Sequence, residues 1–194
     1  MLLGLMTLIV SVGAFIAFER AEAPSSLLEA VIPNPMALSI SSPAFEEGGK
    51  IPSKYTCDAE NVSPEIRIGN VPLGTESFVL VMDDPDIPDM VKQSRGIEKF
   101  DHWAIYNVPA DTVVLAEGKS VGMGAVNSTG KTSYTGPCPP DREHRYFLRL
   151  YALSGTLNFL QAPTLDELET AARGMMIESA TLMGRYNKIE NIKI

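Results

Sequence analysis

The chain has 194 residues, 45% of them hydrophobic, with 16 Lys and Arg against 24 Asp and Glu, for a formal net charge of −8. That length supports one domain with a real core and argues against two large ones. The acidity, uninterrupted by any Lys/Arg cluster long enough to follow a phosphate backbone, sets nucleic acid aside as a partner.

In chain order, the first feature is "MLLGLMTLIVSVGAFIAF", eighteen residues without a charge. They reach the lower edge of what spans a bilayer and exceed a usual secretory core of roughly 7 to 15 residues. Residues 1–23 therefore read as an N-terminal membrane anchor or signal segment, with the length favouring an anchor. The small-residue stretch "AEA" before Pro24 keeps cleavage open. Residues 24–38, mixing Pro, Ser and short apolar pieces, read as a linker, and 39–194 as the folded domain. Only Arg20 and the amino terminus bear on orientation, and the expectation is a domain outside the cytoplasm, membrane-anchored or secreted.

The domain then offers short β-like runs divided by Gly, Pro and Asn: "EIRI", "SFVLVM", "HWAIYNV", "TVVL" and "RYFLRLYAL". In the last, Tyr146, Leu148, Leu150 and Ala152 share one face and Phe147, Arg149, Tyr151 and Leu153 the other. Both faces are largely apolar, which marks a central strand. "PTLDELETAAR" carries helix signals: Thr164 and Glu167 have capping-box spacing, Leu165, Leu168 and Ala172 share a face, and Gly174 ends the run. "MMIESATLMGRY" alternates as a strand does. The pattern predicts a mainly β domain, a sandwich with a short helix near its C-terminus.

Chemistry-bearing residues gather where strands stop. "DDPDIPD", Asp83 to Asp89, follows directly on "SFVLVM", and the two histidines, His102 and His144, each open a strand beside a charged or Pro-rich turn. Loops of a sandwich collect at its two ends, so these termini are candidates for one mouth. Asp101, just before His102, reads as a solvated strand end, and Asp83 and Asp89 as structural or solvated. Cys57 and Cys138 have no metal-ligand spacing and read as one disulfide or two buried thiols.

In this order and spacing, "TCDAENVSPEI", "VMDDPDIPD", "DHWAIYNVPAD", "GPCPPDREHRYFLRLYAL" and "LMGRY" resemble the phosphatidylethanolamine-binding protein family, in its bacterial and archaeal, Raf-kinase-inhibitor-like branch. The resemblance covers about Met36 to Tyr186. It implies a Greek-key β-sandwich with a small pocket for an anionic ligand such as phosphate or a phospholipid head group. Carried over by motif, Asp84 and Asp86 would be pocket carboxylates with Pro85 and Pro88 fixing their turn. His102 would line the floor, Gly136 and Pro137 would bring backbone against the ligand, and His144 with Tyr146 would complete the wall. Tyr55 and Asp58 would come from a second pocket-side stretch.

Two imidazoles, a phenol and backbone amides are suitable donors for an oxyanion, and the carboxylates are expected to hold the imidazoles in their charged form. The chain departs from the family pattern at Ala59, where Gly is usual, and at Asp101, where an apolar residue is usual. "VNSTGKTSYTG" also stands in place of an Asn-Asp-Phe-Gly stretch. The resemblance implies a non-catalytic module, with no cofactor, that regulates or inhibits a protease or kinase. No G-x-S-x-G, H-E-x-x-H or Gly-rich phosphate loop signals catalysis. Two alternatives stay open: a metal-dependent or acid-base hydrolase built on Asp84, Asp86, His102 and His144, and a passive membrane-tethered interaction module.

Overall fold

The computed structural model describes residues 37–188. The expected anchor or signal segment at 1–23 and nearly all of the linker at 24–38 lie outside the described residues. No helix among the described residues is long and apolar enough to cross a membrane.

Among the described residues, eight strands form two sheets. The smaller, in order β1-β2-β5, is built from β1 (Ser39–Ser41), β2 (Ile66–Gly69) and β5 (Val114–Leu115). The larger, in order β6-β4-β3-β7-β8, comprises β3 (Ser77–Asp84), β4 (Phe100–Pro109), β6 (Met123–Gly124), β7 (His144–Leu153) and β8 (Met176–Tyr186). Every named pair is antiparallel. β7 lies between β3 and β8, the interior position its two apolar faces predict.

The two faces of the larger sheet are both covered. Inward, Phe78, Leu80 and Met82 of β3 and Tyr146, Leu148 and Leu150 of β7 pack with Ile40, Ile66, Ile68 and Leu115 of the smaller sheet. Outward, Val79, Val81, Ala104, Tyr106 and Leu153 pack under α2 (Leu165–Arg173) through Leu165, Leu168 and Ala172. Each such side chain contributes roughly 1.5–3 kcal/mol when fully buried, which is why β3 is buried along its whole length. The Thr164–Glu167 capping box forms as the sequence predicts and fixes the start of α2.

The short strands β1 and β6 and one helix are absent from the sequence reading. The acidic turn after β3 runs into α1 (Asp89–Arg95), entered through Pro88 and closed by Gly96 in the left-handed region at φ 63. The helix buries none of its residues, so it leaves no apolar periodicity to read.

Asp101 corrects the picture of a solvated strand end, and Asp83 takes the structural one of its two readings. They face each other across β3 and β4 on the outward side. Asp83 is fully buried, held by Arg149 Nη1 and, at 3.3 Å, by Lys99 Nζ. Lys99 also reaches Glu169 of α2 at 3.1 Å and Asp101 at 3.9 Å. Oδ1 of Asp83 and Oδ1 of Asp101 are buried without a hydrogen-bond partner. Burial, opposed by Lys99 and reinforced by Asp83, pushes the Asp101 carboxyl from 3.8 up to about 6.

The folded Asp101 pKa lies above the unfolded one, so the folded state binds the proton more tightly. The cost of its charge is absent below pH 3.8 and fully felt above about pH 6. Asp101→Asn is expected to stabilise the protein by on the order of 2–3 kcal/mol at pH 7.5 and by much less at pH 4. Denaturant unfolding of both proteins at both pH values reads this, and an equal gain at the two would contradict it.

Candidate functional site

Strand alternation decides which side chains reach the site. On β3 the inward series Phe78, Leu80, Met82 ends in Asp84, and on β7 the inward series begins with His144 and Tyr146. On β4 the register slips: Met82 pairs with Trp103 but Asp83 pairs with Asp101. His102 is thereby the extra residue of a β-bulge. The bulge lets His102 lie inward beside Trp103, its ring centroid 5.2 Å from that of Tyr146 and 4.8 Å from that of Phe100.

The opposite wall is the segment from Tyr134 to Pro140, which has no strand of its own. Asn127 organises its approach. Its amide nitrogen donates to the Ser133 carbonyl at 2.9 Å and to Thr135 Oγ1 at 3.1 Å, while its Oδ1 accepts from Thr129 N at 2.9 Å and Lys131 N at 3.1 Å. Thr135 N donates to the His102 carbonyl at 3.0 Å, and His102 Nδ1 meets the Thr135 carbonyl at 2.7 Å. From behind, Gly136 N donates to Asn61 Oδ1 at 2.8 Å, Tyr134 donates its hydroxyl to the Tyr55 carbonyl at 2.7 Å, and Cys57 and Cys138 form a disulfide. A Cβ on Gly136 would stand 2.3 Å from the Tyr55 carbonyl oxygen, so this position requires glycine for packing against the buttress.

These parts enclose a cavity of about 210 Å³. Asp84, His102 and His144 supply its ionisable groups. Ile87, Pro88 and Val91 close one side, Phe100 flanks His102, and Thr135, Gly136, Cys138, Pro139 and Pro140 form the facing wall.

Of the residues the sequence proposes, Asp84, Pro88, His102, Gly136 and His144 line this cavity. Tyr146 lies beneath both imidazoles, fully buried, with a hydroxyl that has no hydrogen-bond partner. Pro85 stays within the turn, spanned by a 2.8 Å bond from Asp86 N to Asp84 Oδ1.

The other four stand apart from the cavity lining. Asp86 is taken by Arg145, which lies on the outward side of β7: Nε reaches Oδ2 at 2.7 Å and Nη2 reaches Oδ1 at 2.6 Å. That bonding holds the Asp86 carboxyl down at about 2. Tyr55 donates its hydroxyl to Glu117 at 2.8 Å, Asp58 accepts from the Tyr186 hydroxyl, and the Pro137 carbonyl accepts from Cys57 N at 3.1 Å. All three belong to the buttress behind the wall.

The electrostatics also differ from expectation. Burial drives the His102 pKa down from 6.5 to about 4, so near neutral pH this ring is uncharged. Because a carbonyl only accepts, the Thr135 contact assigns the ring proton to Nδ1 and leaves Nε2 with a lone pair. His144 is placed differently: Nδ1 lies 2.7 Å from Asp84 Oδ2 and Nε2 lies 2.8 Å from Asp141 Oδ1. Two such contacts need two protons shared among the three groups. Burial raises the Asp84 pKa, with the His144 hydrogen bond opposing it. Asp141, Phe100 and Asn127 were missed in the sequence. Asp141 alone had a signal, standing three residues before His144 in the quoted turn.

Comparison with known proteins points one way. The sequence profile of the phosphatidylethanolamine-binding proteins matches residues 41–187. A UPF0098 protein of Chlamydia pneumoniae is 40% identical over 152 residues, spanning 78% of this chain and 99% of the relative. One from Methanothermobacter thermautotrophicus is 35% identical over 158 residues, with the same 78% and 99% coverage. The crystal structure of a phosphatidylethanolamine-binding protein homolog from Chlamydia trachomatis superimposes with a TM-score of 0.74 at 37% identity, covering 78% of this chain and 98% of that one. Escherichia coli YbcL, described as a member of the mammalian PEBP family, shares the fold at a TM-score of 0.69 and 21% identity, covering 78% of this chain and 98% of its own.

The buttress can be tested through its disulfide and through Gly136. The Cys57–Cys138 bond joins residues 81 apart, and losing it in a Cys57→Ser, Cys138→Ser protein is expected to cost about 4 kcal/mol on chain-entropy grounds. Gly136→Ala is expected to cost about 1–3 kcal/mol by overpacking. Urea unfolding measures both, and a Gly136→Ala protein as stable as the native one would show that the wall is not held as described.

Proposed function

The chain belongs to the phosphatidylethanolamine-binding protein family, and from that membership we propose that it is a non-catalytic module whose cavity binds a small anionic ligand, a phosphate monoester or phospholipid head group. One observation carries this reading. Among the described residues, the convergent ionisable groups Asp84, His102 and His144 meet at a single cavity whose remaining lining is mainly apolar.

The two imidazoles ask for different things of a ligand. His102 Nε2 is a bare acceptor and requires a hydrogen from its partner. His144, with a carboxylate at each nitrogen, is a donor toward an anionic oxygen. A phosphate monoester carrying one proton meets both, through its P–OH and its P–O⁻. A fully ionised phosphate has nothing to give His102.

The hydrolase alternative lacks support in the same geometry. His144 Nε2, the atom a general base would use, is already bonded to Asp141 Oδ1 at 2.8 Å. The disulfide supports an oxidising compartment, in keeping with a domain exported behind its hydrophobic N-terminal segment. Regulation of a protease or kinase belongs to this proposal too. A protein partner would meet the cavity rim, where α1 exposes Met90.

Calorimetric titration with phosphoethanolamine and with inorganic phosphate between pH 5.5 and 8.5 tests the reading. For phosphoethanolamine, affinity is expected to fall as pH rises past the second ionisation of the monoester near 6, approaching tenfold per unit, as the singly protonated form disappears. Inorganic phosphate keeps a P–OH over this whole range and is expected to lose far less. His102→Ala should weaken binding by at least about tenfold, the scale of one hydrogen bond to a charged group. A folded protein that binds neither ligand, or binds phosphoethanolamine more tightly as pH rises, would overturn it. Turnover of phosphomonoesters would overturn the non-catalytic part.

A further inference from the structure

His144 is fully buried between two carboxylates that are built very differently. Asp84 is framework: it ends β3, is 3% exposed, and commits Oδ1 to Asp86 N at 2.8 Å as well as Oδ2 to His144. Asp141 is rim. It comes from the turn before β7, its side chain is 39% exposed, and it follows Pro139 and Pro140, which line the cavity. Its second oxygen pairs with Arg142 Nη1 at 2.6 Å, and Arg142 Nη2 donates in turn to the Asp86 carbonyl at 3.0 Å.

An exposed charged side chain has water as an alternative partner, and exposed ion pairs hold little net stability. Asp141 nevertheless spends one oxygen on the buried Nε2 of a cavity residue, 2.8 Å away. That oxygen stands where a ligand's oxyanion would accept the same hydrogen, since Asp84 already uses Nδ1.

We propose that Asp141 is an internal competitor for the oxyanion position of the cavity: its carboxylate caps His144 Nε2 in the ligand-free protein, and the ligand's oxyanion takes its place on entry. This rests on reading the cavity as an oxyanion site. The displaced carboxylate keeps Arg142 as its counter-charge and gains water, so the exchange strands no buried charge. It also sets a selectivity threshold, because a neutral oxygen is a poorer acceptor than the carboxylate it must displace. Phosphate monoesters pass that threshold, while alcohols, esters and ethers of the same size do not.

The test titrates inorganic phosphate and phosphoethanolamine into the native protein and into Asp141→Asn, with the unfolding midpoint of each recorded. Asp141→Asn keeps the shape but removes the charge of the competitor, and is expected to bind both probes at least about fivefold more tightly. If the native protein binds and the variant binds equally or more weakly, Asp141 positions His144 and the competitor idea is overturned while the oxyanion site stands. If neither protein binds at millimolar phosphate, the site reading falls and the competitor with it. A measurement on the native protein covers the case of a variant that fails to fold: the carbon-13 signal of the Asp141 carboxyl should move on saturation with phosphate. A saturated protein with that signal unmoved would overturn the proposal.

Discussion

A strand sends consecutive side chains to opposite faces, and at the end of β3 that rule separates two neighbouring carboxylates, Asp83 outward and Asp84 inward. Both are buried, and an unpaired buried charge costs several kcal/mol, so each face must supply a partner. Outward, Arg149 and Lys99 answer Asp83, and Lys99 draws in Glu169 from α2. Inward, His144 and the Asp86 amide answer Asp84. The same constraint therefore ties the helix to one face of the sheet and the imidazole to the other. The cavity exists because the inward partner is a histidine one strand away with room above it.

The second imidazole reaches the site by breaking that rule. Without the slip between Met82 and Asp83, β4 alternation would put His102 and Trp103 on opposite faces. The bulge places both inward, and the His102–Thr135 exchange, one backbone bond at 3.0 Å and one ring bond at 2.7 Å, then attaches a wall that has no sheet of its own. Asn127, Asn61 and the disulfide hold the far side of that wall. Tyr55 and Cys57 contribute from behind it, which explains why a stretch so close to the cavity does not line it.

How far the sequence could be read follows from what each feature depends on. The strands were legible because β3 and β7 are apolar on both faces, and α2 because its capping box and apolar stripe are local. α1 was not, since it buries nothing and its signals, Pro88, Lys92 and Gly96, look equally like a turn. Asp84 and His144, which line the cavity, were singled out through motif and boundary position. Asp86 was grouped with them but does not line the cavity, because the sequence shows a carboxylate beside prolines and hides that Arg145, its partner, points to the opposite face from His144. Burial was the other hidden quantity. It turns His102 neutral and Asp101 weakly acidic, and neither environment can be seen in neighbours along the chain.

Net charge sharpens what the proposed oxyanion site must do. A chain at −8 repels an approaching anion, but at physiological ionic strength that field decays over roughly 8 Å, so it slows encounter more than it weakens a bound state. Recognition of an oxyanion then has to come from contacts made inside the mouth. No Lys or Arg lines the cavity, and a neutral His102 adds no charge. What remains are hydrogen bonds of fixed direction, an acceptor at His102 and a donor at His144, surrounded by Ile87, Val91 and Phe100. Such a site would discriminate by protonation state and by the apolar group attached to the head. Total charge would count for little in it, which reconciles the proposed anion site with an acidic chain.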